Sequence, residues 1–239
     1  MIKVEKFVVN PLGENSFIVS DESGECIFID PGFYYEEEHQ EIKDYVDANN
    51  LTPVKITNTH CHFDHIMGVE FVRNQFKIPF YAHAEDGFWV EKVTQQAEMF
   101  GFEMDAVAPI DEFLVENEYV EFGNSRLQII HVPGHSPGHV VFYSEKDKIV
   151  IAGDVLFYGS IGRTDLPGGN YQALISNIKN KLFALPDETT VFCGHGPETK
   201  LGFEKRTNPF LTLQISFFQF GGFFNIANIF KIKYNYVSR

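Results

Sequence analysis

The segment His60-Cys61-His62-Phe63-Asp64-His65 constrains this chain more than any other. Only nine histidines occur in 239 residues, yet three of them fall within six positions, beside an aspartate. Further pieces follow in order: His135 in Pro133-Gly134-His135-Ser136-Pro137-Gly138-His139, Asp154 after Gly153, and His195 after Gly194. Together they offer five imidazoles and two carboxylates, enough for two adjacent divalent metals. A metal pair activates water and clamps an oxygen-centred displacement, so the pattern reads as a metallohydrolase. Taken singly, His135, Asp154 or His195 would pass for ordinary polar residues. In order, each next to glycine, they do not.

Side-chain direction supports the grouping. An apolar, β-favouring stretch with Val54 and Ile56 precedes the cluster, which should leave a strand at its C-terminal end. In extended chain His60 and His62 point to the same side, as two ligands of one metal would. A helix is expected from Asp64, with Ile66, Val69, Phe71, Val72 and Phe76 on its apolar face, which leaves Asp64 and His65 at its start. His135, Asp154 and His195 each follow or end an expected strand. Neutral imidazole and carboxylate suit zinc, iron or manganese alike.

The order His-x-His-x-Asp-His, Gly-His, Gly-Asp, Gly-His resembles the metallo-β-lactamase superfamily from about residue 2 to about residue 210. Within it, Gly153-Asp154-Val155-Leu156-Phe157, Gly159-Ser160-Ile161-Gly162-Arg163-Thr164-Asp165 and Arg206-Thr207-Asn208-Pro209-Phe210 resemble the short glyoxalase II (hydroxyacylglutathione hydrolase) branch. The resemblance implies an α+β fold, a four-layer αβ/βα sandwich with the metals along one edge. It implies two divalent ions, zinc first, iron or manganese as substitutes. His60, His62 and His135 would hold one, Asp64, His65 and His195 the other, and Asp154 would bridge them. Asp64 would be the catalytic group, orienting a hydroxide for attack on a thioester such as an acylglutathione. A thiolate leaves without a dedicated acid, free thiols having a pKa near 8.5.

Departures narrow the choice. Zinc β-lactamases commonly carry Cys at the place of Asp154, which argues against antibiotic hydrolysis. Di-iron oxygen reducers carry Glu where this chain has His62. A mononuclear non-haem iron persulfide dioxygenase, with two His and one Asp, is the alternative reading because its Gly-Arg-Thr-Asp stretch is similar. Long glyoxalase II enzymes grip glutathione through a C-terminal helical domain, but only 44 residues follow His195 here. Lys200, Lys205 and Arg206 are candidate contacts for an anionic substrate.

A formal net charge of −14 and the lack of a basic run argue against a nucleic-acid partner. Three cysteines cannot form a closed set of disulfides, which with the strand-like start Met1-Ile2-Lys3-Val4 leads us to expect a cytoplasmic protein. Cys61 should point away from its histidine neighbours and pack. Asp30 should mark a structural corner, and His83, His131 and His139 should be structural or orient ligands.

Strands are expected at 2–9, 15–20, 25–30, 53–58, 79–82, 112–122, 125–131, 139–144, 147–153 and 189–193. Helices are expected at 36–49, from 64, at 85–100 and at 171–184. A hydrolase domain over 1–210 should then give way to a different segment, 211–239. That segment holds six Phe, four Ile, three Asn, two Lys and two Tyr, and no acid. Leu211 to Phe230 is uncharged and long enough to span a membrane, but Gln214, Gln219, Asn225 and Asn228 argue against it. A homodimer contact is one role for it. Translated non-coding DNA is another origin, since these residues have AT-rich codons. Sequencing the source locus should then show an interrupted frame near Leu211; an intact related tail in close homologues would refute that origin.

Overall fold

The computed structural model describes residues 1–212. Strands β1 (Lys3–Val9), β2 (Glu14–Ser20) and β3 (Glu25–Ile29) form an antiparallel meander. Helix α1 (Glu36–Ala48) then crosses over to β4 (Thr52–Thr57), parallel to β3. Helices α2 (Phe63–Ile66) and α3 (Val69–Phe76) lead to β5 (Phe80–His83). A 3-10 turn (Ala84–Asp86), α4 (Gly87–Glu91) and α5 (Val93–Met99) lead to β6 (Glu112–Leu114). These six strands lie in sequential order, β1 to β6.

The second sheet begins with β7 (Tyr119–Phe122), β8 (Ser125–His131), β9 (Val140–Ser144) and β10 (Ile149–Gly153), all antiparallel. A small ribbon, β11 (Leu156–Phe157) with β12 (Ser160–Ile161), precedes α6 (Tyr171–Asn180). β13 (Thr190–Cys193) then pairs parallel to β10, and β14 (Thr199–Lys200), α7 (Leu201–Thr207) and α8 (Pro209–Thr212) follow. The sheet order is β14-β13-β10-β9-β8-β7.

Strand alternation explains why two sheets stack and both are capped by helices. Phe17 and Val19 of β2, with Ile27 and Ile29 of β3, pack with Leu127, Ile129, Val140, Phe142 and Ile151 of the second sheet. The intervening residues Ile18, Cys26 and Phe28 pack instead with Ile42 and Val46 of α1 and Val69 and Val72 of α3. On the other side, Val150, Ala152 and Val191 pack with Leu174 and Ile178 of α6 and Leu201 of α7. The result is the expected α+β, four-layer αβ/βα sandwich. Strands covered on both faces read as nearly continuous apolar runs, as β2 and β3 do. Each buried Phe or Ile of the middle layer contributes roughly 1.5–3 kcal/mol by leaving water.

Helix starts follow local chemistry. Glu38 Oε2 accepts the backbone N–H of Tyr35 at 3.0 Å and of Tyr34 at 2.6 Å, closing the first turn of α1. Asn170 Oδ1 accepts the N–H of Ala173 at 3.0 Å and starts α6.

Several elements are shorter than expected. The helix expected from residue 64 breaks at Gly68, whose backbone passes so close to Phe33 that an added Cβ would lie 2.9 Å from it. The helix expected over 85–100 is three short pieces. The single strand expected over 112–122 is two, because the chain crosses from β6 in one sheet to β7 in the other at Val115–Glu118. Helix α6 ends at Asn180, and a 3-10 turn, Leu182–Ala184, completes the stretch expected as one helix. β11, β12, β14, α7 and α8 were not anticipated. Helix α8 runs past residue 210 and buries Leu211. From residue 213 onward the aromatic-rich segment lies outside the described residues, and the roles considered for it lie there too. Among the described residues no helix is long and apolar enough to cross a membrane.

Phe142 is fully buried between the sheets. Phe142→Ala is expected to lower stability by about 3–5 kcal/mol. Urea unfolding should show a lower midpoint with an unchanged slope; a loss under about 1 kcal/mol would mean the two sheets do not share this core.

Candidate metal centre

β3, β4 and β5 run parallel, as do β10 and β13, and their C-terminal ends meet along one rim. Loops at the ends of open parallel strands are where α/β sheets bind ligands. His60 and His62 lie on the loop after β4, Asp64 and His65 on the single turn of α2. His135 lies between β8 and β9, Asp154 just after β10, and His195 just after β13.

Three imidazoles converge first. His135 Nε2 lies 2.9 Å from His62 Nδ1 and 3.2 Å from His60 Nε2. The other nitrogen of His135, Nδ1, donates to the Arg163 carbonyl at 2.8 Å, which leaves Nε2 with a bare lone pair facing the group. All three rings are buried, and burial pushes each below the ordinary histidine pKa, so they are neutral at neutral pH. Neutral nitrogens crowded together with their lone pairs inward form the donor set of a zinc-class cation.

A second group adjoins it. His195 Nε2 lies 3.3 Å from Asp64 Oδ2, and His65 Nε2 lies 3.9 Å from the same oxygen. Asp154 stands between the groups: Oδ2 is 3.7 Å from both His135 Nε2 and His195 Nε2, and Oδ1 is 3.5 Å from His65 Nε2. Burial opposes its charge, but His195 and His65 hold Asp154 well below the usual carboxylate range. Burial likewise disfavours charge on His65 and His195, and there the carboxylates Asp154 and Asp64 outweigh it and push both imidazoles up. Asp154 Oδ1 and His65 Nε2 are buried with no hydrogen-bond partner among the described residues. Buried polar atoms left facing one another in this way fit a cation held between them. Gly194 is required here, since a Cβ would run into Asp154 Oδ1.

All seven residues singled out in the sequence thus gather at one rim, in the two groups anticipated. A family model described as the metallo-beta-lactamase superfamily matches residues 9–195. The chain belongs to the metallo-β-lactamase superfamily. Among its relatives is hydroxyacylglutathione hydrolase GloC of Haemophilus influenzae, 36% identical over 212 residues, 88% of this chain and 98% of that protein. Among solved structures, TTHA1623 in a di-iron-bound form superposes with a TM-score of 0.78 at 40% identity, covering 87% of this chain and all of the other. BLEG-1, a B3 metallo-beta-lactamase, superposes with a TM-score of 0.81 at 36% identity, covering 89% of this chain and all of the other.

The superfamily rim is held by groups that sequence reasoning named only in part. Asp30, expected as a corner, accepts from Thr59 N–H and Thr59 Oγ–H at 2.6 Å each, and its Oδ2 lies 3.2 Å from His65 Nδ1. It therefore aims the Nε2 face of His65 at the second group. His139 stacks on His60 and accepts the Asp154 N–H through Nε2 at 3.1 Å. Cys61 is buried in the outer core, and burial pushes its thiol well up, so it packs as expected. Lys205 and Arg206 both pair with Asp187 at 2.5 and 3.3 Å, which occupies two of the three cations considered for substrate.

Two groups were missed. Glu14 is fully buried, with Oε2 accepting from Ser16 at 2.7 Å and Oε1 3.6 Å from His65 Nδ1. Asp86 is fully buried as well; it accepts the Cys61 N–H at 2.9 Å, the Gly138 N–H at 2.7 Å and the Ser136 hydroxyl. One carboxylate therefore ties the loop of His60 and His62 to the loop of His135. The only signal in the sequence was an acid in a short polar stretch after β5, which looks like any solvated turn. Asp86→Ala is expected to weaken metal binding about 10–100-fold, read by competition with a chromophoric chelator. Unchanged affinity in a folded variant would leave Asp86 without a role in aligning the two loops.

Proposed function

We propose that this chain is a dinuclear-metal hydrolase that cleaves a thioester, an acylglutathione being the model substrate. The observation that carries the reading is the doubled donor set, His60, His62 and His135 beside Asp64, His65 and His195, with Asp154 reaching both. Similarity to GloC over nearly all of that protein's length supports the thioester class. The di-iron form of TTHA1623 supports two ions and leaves zinc, iron and manganese open.

Bound at this rim, a metal pair would supply hydroxide at neutral pH and polarise the substrate carbonyl. The chain's own groups prepare the ground for that. Buried neutral imidazoles keep the first group able to bind a cation without first losing protons. Asp64 Oδ2, beside His195, is the acceptor placed to orient a water's proton. Trp89, 5.0 Å from the His62 ring, closes one side of the first group with apolar surface. A thiolate leaving group needs no proton donor near neutral pH.

A persulfide dioxygenase needs only two His and one Asp for one iron, whereas the two groups together with Asp154 offer five His and two Asp, more ligands than that chemistry uses. Likeness to BLEG-1 favours one further reading, β-lactam hydrolysis on the same residues.

Loss of thioester absorbance with S-lactoylglutathione, after reconstitution with zinc, iron or manganese, tests the proposal. Saturable turnover abolished by a chelator is expected, with Asp64→Asn lowering kcat by about a hundred- to ten-thousand-fold. A fully metallated protein that leaves the thioester intact while opening a chromogenic cephalosporin, or while consuming oxygen with glutathione persulfide, would overturn it.

A further inference from the structure

Each fully buried imidazole at the rim turns one ring nitrogen inward and needs a partner for the other. His135 Nδ1 has the Arg163 carbonyl at 2.8 Å, and His65 Nδ1 has Asp30 Oδ2 at 3.2 Å. His60 Nδ1 lies 3.1 Å from Thr59 Oγ, which gives its own proton to Asp30 and so accepts from the imidazole. His62 is the exception. Its Nδ1 faces His135, and its Nε2 is buried with no hydrogen-bond partner among the described residues. A bare buried donor is costly, and a metal-binding histidine commonly donates through its second nitrogen.

Trp89 is the ring that lies against His62 from outside the histidine cluster. The centroids are 5.0 Å apart with the planes at 69°, the spacing of an edge-to-face pair. Trp89 is buried on α4, and Asp86, three residues earlier, registers that segment to the His62 loop by accepting the Cys61 N–H at 2.9 Å. The indole Nε1 has no partner either, so no conventional bond joins it to His62 Nε2. Of the two rings the indole offers the electron-rich face. An imidazole that binds a cation is electron-poor and accepts badly through its own face. The sense that fits is the imidazole edge on the indole face.

We propose that Trp89 is a positioning residue for the first metal group, its indole face accepting the His62 Nε2–H where another histidine would meet a carboxylate or carbonyl. The inference rests on the metal-centre reading of the rim and not on the choice of substrate. Holding the proton on Nε2 fixes the tautomer, so Nδ1 keeps its lone pair toward His60 and His135. The contact also favours the loaded state. A cation on Nδ1 draws electron density from the ring, makes Nε2–H more positive and strengthens its attraction to the indole, the best of the aromatic faces for positive charge. It anchors His62 without adding a carboxylate to the neutral group.

The alternative is an enclosed water that accepts from both His62 Nε2 and Trp89 Nε1. A proton–nitrogen NMR spectrum of the full chain, isotope-labelled at histidine and loaded with zinc, separates the two. The His62 Nε2–H, identified by its proximity to the Trp89 ring protons, is expected well upfield of the Nδ1–H signals of His60 and His135. Ring current shields a proton above an aromatic face, whereas an oxygen acceptor deshields it. Trp89→Phe retains a face and is expected to keep the upfield signal, with zinc affinity close to wild type. Trp89→Leu retains apolar bulk without a face. It is expected to lose the shielding and to weaken zinc binding about tenfold, read by competition with a chromophoric chelator. The wild-type spectrum decides the contact whatever either variant does to folding. An Nε2–H that resonates with the oxygen-bonded protons, or a Trp89→Leu variant that holds zinc as tightly as Trp89→Phe, would overturn the proposal. Histidine signals that do not respond to zinc at all would refute the metal centre, and this inference with it.

Discussion

The architecture turns on a seam of backbone hydrogen bonds where the two sheets meet. Asn15 N–H at the start of β2 donates to the Gly194 carbonyl at 2.7 Å, and Gly194 N–H donates to the Gly153 carbonyl at 2.7 Å. Val140 N–H donates to the Thr59 carbonyl at 2.8 Å. The Asn15 amide adds bonds to the carbonyls of Cys193 and Gly196 at 2.8 and 2.9 Å. These bonds join the loops after β4, β10 and β13, which carry four of the seven candidate ligands. The apolar middle layer holds the sheets face to face, but this seam sets their ligands in register. The same close approaches exclude side chains, which is why glycine precedes both Asp154 and His195.

Charge at the rim is arranged by position. At His60, His62 and His135 burial outweighs the pull of Asp154 and keeps the imidazoles neutral. At His65 and His195, which meet Asp64 and Asp154, the carboxylates win over burial. One rim therefore presents a neutral nitrogen pocket and an anionic mixed pocket a few ångströms apart, joined by Asp154. Such asymmetry suits a pair of cations with unequal surroundings, one free to polarise a substrate and the other paired with an acid that orients water. The overall charge of −14 adds nothing to this; the local geometry decides it.

Much of this was legible from residue order. The cluster at 60–65 and the glycine-flanked His135, Asp154 and His195 announced a shared site, and apolar runs in β2, β3, β9 and β10 located the strands. The layering itself came from family resemblance, since continuous apolar runs say that a strand is buried without saying what covers it. Breaks at Gly68 and across Val115–Glu118 were not legible, because each depends on a tertiary contact or a change of sheet. Asp86 and Glu14 were hidden for the same reason: a buried acid whose partners lie tens of residues away looks like a surface one. His83 and His131 were read as structural, and their rings stack where the two sheets meet.

Crystals grown with manganese or zinc and measured at the metal's absorption edge would test the central claim most directly. Two anomalous peaks about 3.5–4 Å apart are expected, one among His60, His62 and His135, the other among Asp64, His65 and His195, with Asp154 touching both. A single peak at saturating metal, or a pair that leaves Asp154 unbound, would contradict a dinuclear centre bridged across the seam.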